Sequence, residues 1–181
     1  MNPIEHSPGL VVNIATPELK LSDFKLIAFD MDSTLINIEC VDEIAAAAGR
    51  KEEVAAITEA AMRGEITDFK DSLRRRVALL QGVSVASMEA VYRERLQLNP
   101  GAAELVRACK DAGLKVLLEV AELIGIAAEQ TIAVGDGAND LPMMGAAGVA
   151  VAFHAKPAVQ AQAHISITAG GLDRALAVLR P

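Results

Sequence analysis

Tryptophan is absent from this chain, and aromatic residues make up only 3% of it. Hydrophobic residues still reach 52%, so a core is available, but aliphatic side chains and alanine must fill it. Cysteine is nearly missing too. Cys40 and Cys109 lack the spacing of a metal site, and two isolated thiols point to a reducing compartment rather than a disulfide framework. There is no excess of positive charge. Acids outnumber bases 24 to 17, for a net charge of −7, and no basic stripe appears, so no nucleic-acid partner is expected. No apolar run reaches the ~18 residues of a membrane span, so no membrane partner is expected either. The opening "MNPIEHSPGLVVN" has neither a basic start nor a long apolar stretch; we therefore expect no signal peptide and a cytoplasmic protein.

What is present has a clear order. The 181 residues suit one core domain with at most a small insertion. Residues 1–23 read as a loosely ordered lead-in with a short strand at "GLVVNI". "KLIAFD", residues 25–30, is a continuous apolar run of the kind buried on both faces of a parallel sheet. Residues 40–97 change character: "VDEIAAAAG", "EEVAAITEAAMRG", "TDFKDSLRRRVALLQG" and "SVASMEAVYRERL" are four amphipathic helical patterns separated by glycine or capping residues. After Asn99-Pro100-Gly101 the pattern alternates. "AAELVRACKDAG", "EVAELIGI", "NDLPMMGAAG", "KPAVQAQA" and "GLDRALAVLR" read as helices; "LKVLL", "QTIAVGD", "VAVAF" and "HISIT" read as strands. Alternation of this kind predicts an α/β fold with a Rossmann-like parallel sheet and right-handed crossovers. The expected core is residues 1–38 and 98–181, with a small helical-bundle cap, residues 39–97, inserted after the first core strand.

The chemistry collects at two strand ends. "LIAFDMDSTL" stops an apolar run at Asp30 and Asp32, followed by Ser33 and Thr34; "TIAVGDGAND" ends at Asp136, followed by Gly137, Asn139 and Asp140. Ligands of open parallel sheets bind beyond the carboxyl ends of strands. A single Asp there is most simply a turn or helix cap. Acids at two such ends would repel one another unless a cation lay between them, and hard oxygen ligands suit Mg²⁺. Successive helical residues point ~100° apart, so at most one of Arg74, Arg75 and Arg76 can aim at a given site.

These residues carry a resemblance. "FDMDSTL" resembles the first motif of the haloacid dehalogenase-like phosphatases, D-x-D-x-[ST], and "GDGANDLPMM" resembles their fourth. The helical block from "NIECVDEIA" to "RRRVALL" is similar to the cap of the phosphoserine phosphatase branch, and the likeness runs over about residues 24 to 179. The resemblance implies that Asp30 is a nucleophile forming an aspartyl phosphate and that Asp32 is the general acid and base. It implies that Asp30, the main-chain oxygen of Asp32 and Asp136 bind Mg²⁺. In the cap it makes Glu39 the partner of a substrate ammonium and Arg76 the partner of a carboxylate, with Met62 and Phe69 lining the apolar side. Asn139 would also touch substrate, and Ser33, Thr34, Gly137 and Asp140 would support the site. The implied substrate is a small phosphomonoester, O-phosphoserine, hydrolysed in the last step of serine biosynthesis by a monomer or homodimer. Other readings are a phosphatase or phosphotransferase for another small phosphomonoester, and a non-catalytic binding protein.

One departure stands out. Family members end their second core strand in a Ser/Thr turn that binds phosphate, and carry a Lys on a later helix. Here "LKVLL" runs directly into "EVAELIGI", and only the 12 residues from Glu119 to Gln130 separate the two strands, close to the ~10–12 a crossover requires. Either the segment is truly missing, which weakens catalysis, or the chain as written omits residues; the intact flanking motifs favour omission. In that case Leu118 and Glu119 would lie well apart.

Overall fold

Large and small apolar residues alternate along the central strands, and this alternation decides which face of the sheet meets which layer. The computed structural model describes residues 3–13, 18–62, 65–66, 68–118 and 126–180. The strands are β1 (Ile4–Ser7), β2 (Leu10–Val12), β3 (Leu19–Lys20), β4 (Leu26–Phe29), β5 (Lys115–Leu118), β6 (Thr131–Gly135), β7 (Val149–Phe153), β8 (Ile165–Ile167) and β9 (Leu179–Arg180). The helices are α1 (Cys40–Ala47), α2 (Lys51–Met62), α3 (Phe69–Ala78), α4 (Val85–Glu94), α5 (Ala102–Asp111), α6 (Leu141–Ala146) and α7 (Pro157–Gln160).

The main sheet runs β1-β2-β8-β7-β6-β4-β5. From β8 to β5 it is parallel, as expected of a Rossmann-like α/β core; β1 and β2 add an antiparallel hairpin at one edge. Ile132 and Val134 of β6, with Val149, Val151 and Phe153 of β7, enter the larger core cluster beside Leu105 and Cys109 of α5. The intervening Ala133, Ala150 and Ala152 face the other way, against Met144 of α6 and Val159 of α7. Alanine on that face lets short helices sit close to the sheet. Burying each large aliphatic side chain contributes about 1.5–3 kcal/mol, so the large-residue face supplies most of the hydrophobic stabilisation.

Contacts divide the chain into two compact units, one formed by Met1–Ile36 with Leu98–Pro181 and the other by Asn37–Gln97. The second unit contains α1 to α4. Asp68 caps α3 by accepting the Lys70 amide at 2.9 Å, and Ser84 caps α4 by accepting the Ser87 amide at 3.1 Å. Its core centres on Ala45, Val54 and Val91.

Several local expectations give way. In the lead-in, the strand expected at "GLVVNI" is β2, and β1, unexpected from the sequence, pairs with it; β2 in turn pairs with β8. "GLDRALAVLR" is a 3-10 segment, Leu172–Ala177, followed by β9. The chain leaves the helix there because β9 pairs with β3, giving Leu179 a buried strand position. The helix expected at "EVAELIGI" lies almost wholly outside the described residues, and so does Glu119 of the Leu118–Glu119 junction.

Candidate active site

β4 is buried at all four positions, and its register is fixed by parallel pairing on both sides, Phe29 standing opposite Val134 and Leu118. Asp30 continues the strand: its amide donates to the Val134 carbonyl at 2.8 Å, and it is only 7% exposed. The chain then turns. Ser33 has φ 58, in the left-handed region that non-glycine residues seldom occupy, and the Ile36 amide donates to the Met31 carbonyl at 3.0 Å. The turn folds Thr34 inward to full burial.

β6 delivers the second acid in the same way. Past Gly135, Asp136 begins a turn held by Asp140, whose Oδ2 accepts the amides of Asp136 at 3.0 Å and Gly137 at 2.9 Å. Its Oδ1 accepts the Asn139 side-chain amide at 2.9 Å. Gly135 is required by space: a Cβ there would lie 2.5 Å from Asp140 Oδ2. The two turns meet where the Thr34 hydroxyl donates to Asp136 Oδ1 at 3.4 Å.

Carboxylate oxygens of Asp30, Asp136 and Asp140 all lie within 4.8 Å of one another. Burial, and then the charges of Asp140 and Asp136, push the Asp30 carboxyl up to about 7, against hydrogen bonds from Thr34 and the Met31 amide. Burial also raises Asp140, opposed by the Gly137 and Asp136 amides. Both Asp140 oxygens accept hydrogen bonds that hold the β6 turn, a structural role beside any share in holding a cation. Crowded hard oxygens of this kind suit Mg²⁺.

The first unit therefore brings together Asp30, Thr34, Asp136, Gly137, Asn139 and Asp140, with Asp32 and Ser33 in the turn between. Asn99 joins them without having been singled out from the sequence. Its side-chain amide donates to the carbonyls of Ser33, Thr34 and Ile36 at 3.2, 2.8 and 3.0 Å, sharing two hydrogens among three acceptors. In sequence Asn99 reads only as the start of an Asn-Pro-Gly turn, and nothing there points 65 residues back.

The remaining expected residues belong to the second unit. Glu39 precedes α1 as its exposed N-cap. Arg76 lies on α3 with its side chain 14% exposed, and its Nη1 is 3.6 Å from Asp42 in the first turn of α1. Its Nε is buried without a hydrogen-bond partner among the described residues. Arg75 instead pairs at the surface with Asp71 at 2.8 Å. The side chains of Met62 and Phe69 lie outside the described residues.

Comparison with known proteins shows the family. Residues 24–118 and 107–170 match family models described as haloacid dehalogenase-like hydrolase. The chain is similar to a phosphoserine phosphatase of Polaromonas sp., 57% identical over 236 residues, covering 99% of this chain and 100% of the relative. A phosphoserine phosphatase of Albidiferax ferrireducens is 53% identical, with 100% of both chains covered. Among solved structures, a phospho-aspartyl intermediate analogue of phosphoserine phosphatase superposes with TM-score 0.75 at 32% identity, covering 87% of this chain and 99% of that one. The alignment to the Polaromonas protein spans 236 positions whereas this chain has 181 residues, so at least 55 positions carry no residue of this chain.

Proposed function

This chain belongs to the haloacid dehalogenase-like hydrolases, and we propose that within that family it acts on O-phosphoserine, releasing serine and phosphate as a cytoplasmic enzyme of serine biosynthesis. The observation that carries the reading is the buried Asp30 at the end of β4, set against Asp136 at the end of β6 with oxygens within 4.8 Å. The similarity to named phosphoserine phosphatases supports the choice of substrate.

In the proposed reaction an Asp30 carboxylate oxygen attacks phosphorus, and the bond from phosphorus to the serine oxygen breaks. Asp32 gives its proton to that departing oxygen. Asp32 then takes a proton from water, whose oxygen attacks the aspartyl phosphate; the Asp30–phosphorus bond breaks and phosphate leaves. Mg²⁺, held by Asp30, Asp136 and the main-chain oxygen of Asp32, would supply charge neutralisation between an anionic nucleophile and an anionic ester. The amides of the turn after Asp30 offer donors to phosphoryl oxygens, and Thr34 and Asp140 keep the two turns in place. The helical insertion, residues 39–97, acts as the cap: Glu39 would receive the substrate ammonium and Arg76 its carboxylate, with Met62, Phe69 and Asn139 completing the contacts.

A second reading is favoured by the 55 or more alignment positions without a residue of this chain. The sequence has neither the expected Ser/Thr turn after β5 nor the later Lys. Preorganised donors to a transferring phosphoryl group are usually a large part of catalysis, so the chain alone is expected to turn over slowly, and a binding protein that retains the cation site is the alternative. Phosphate release from O-phosphoserine, with and without Mg²⁺, separates the two. Slow Mg²⁺-dependent release supports the enzyme; substrate binding with no release supports the alternative.

A further inference from the structure

β5 ends the sheet. It pairs with β4 along one edge, and among the described residues no strand pairs with the other. Its composition does not suit an edge. After the exposed Lys115, Val116 to Leu118 are apolar, the pattern of a parallel strand covered on both faces, and an open edge of this kind invites another strand. Burial agrees: every residue of β4 is buried, whereas Val116 and Leu117 next door are only half-buried. Beside it, α5 carries a groove of about 460 Å³ whose lining includes Leu98, Ala103 and Val106 and the charged Arg107, Lys110 and Asp111. Leu98 is 53% exposed there.

The comparison supplies a candidate for this surface. The Polaromonas relative carries at least 55 positions that this chain lacks; one family match ends at Leu118, the last residue of β5, and a second, residues 107–170, runs past it. A connection of that length is too long to be structureless in a compact domain. Leaving the carboxyl end of β5, it would place its next parallel strand on the open edge, with the crossover helix on the same face as α5.

We propose that the open edge of β5 and the adjoining groove on α5 bind, in trans, a polypeptide with the strand-and-helix character of that segment. The occupant is the stretch of the relative that has no counterpart in this chain, placed after the position of Leu118, where the sequence runs from strand directly into "EVAELIGI". This docking rests on topology and comparison and stands independently of the phosphatase reading.

The test uses the whole chain and a fluorescein-labelled synthetic peptide of that stretch from the Polaromonas protein. Anisotropy should show saturable one-to-one binding, and hydrogen exchange should slow at Lys115–Leu118 and along α5. Ala103→Arg, a change at an exposed position, should leave the circular dichroism spectrum and Tm unaltered while weakening binding about tenfold or more. Val106→Asp should weaken it likewise. Absence of binding, protection elsewhere, or affinity untouched by Ala103→Arg would overturn the proposal. So would self-association through β5 that the peptide does not displace. Phosphate release is measured in the same mixtures: a docked peptide without release counts against the phosphatase reading alone, and release by the chain without docking counts against the docking alone.

Discussion

The side-chain amide of Asn99 donates to the main-chain carbonyl of Thr34 at 2.8 Å, tying the turn that follows β4 to the chain that returns from the helical unit. Through this bond and those to Ser33 and Ile36, one side chain fixes the turn in which Asp32 and the left-handed Ser33 sit. Asn99→Asp puts a carboxylate against three carbonyls. We predict a loss of about 1–3 kcal/mol in stability, the cost of leaving buried polar groups unsatisfied, and a lower kcat with KM nearly unchanged. Thermal unfolding and steady-state kinetics check this; an equal rise in KM would show that Asn99 acts on substrate binding instead.

Gly135→Ala places a methyl group 2.5 Å from Asp140 Oδ2, which must move and release the amides of Asp136 and Gly137. Overpacking of this kind costs about 1–3 kcal/mol. Gly145→Ala is the control, since nothing lies within 4 Å of its Cβ position. The first variant should lower Tm and Mg²⁺ affinity together, and the control should do neither.

Cation binding should depend on pH with a definite sign. In the cation-free folded chain the Asp30 carboxyl titrates near 7, against 3.8 ordinarily. Between those values the folded chain holds a proton that the unfolded chain has lost, so stability without a cation falls as pH rises through that window and levels off above it. The proposed Mg²⁺ would bind the ionised form. Its stabilising effect in a thermal-shift titration should therefore be larger above pH 7 than below it, and Asp136→Asn should largely remove it. A Mg²⁺ shift that does not change with pH would argue against Asp30 as a ligand.

Arg76→Ala should impair hydrolysis of O-phosphoserine by about 1.5–3 kcal/mol, the worth of a charge-assisted hydrogen bond. It should impair a phosphate ester without a carboxylate far less. Equal losses would mean that Arg76 serves only its pairing with Asp42 across α1 and α3.

Much of the core was legible because its signals are local. "LIAF" between turn residues reads as a buried strand, and β4 is buried throughout. Aspartates at the ends of β4 and β6 read as one site because a parallel sheet gathers strand ends. What stayed hidden depends on contacts distant in sequence. The hairpin of β1 and β2 owes its order to β8, more than 150 residues further along. β9 exists because β3 offers it a partner, which overrides the helical pattern of "GLDRALAVLR". Asn99 looks like a turn residue until the fold brings Ser33 and Thr34 to it.

The central claim is that Asp30 carries the phosphoryl group, and trapping tests it most directly. The chain is mixed with O-phosphoserine and Mg²⁺, quenched in acid during turnover and reduced with borohydride, which converts an aspartyl phosphate to homoserine. The account predicts homoserine at position 30, absent without Mg²⁺ and absent in Asp30→Asn, whose nearly isosteric amide is a poor nucleophile. Phosphate release that continues in Asp30→Asn, or a label at any other residue, would contradict it.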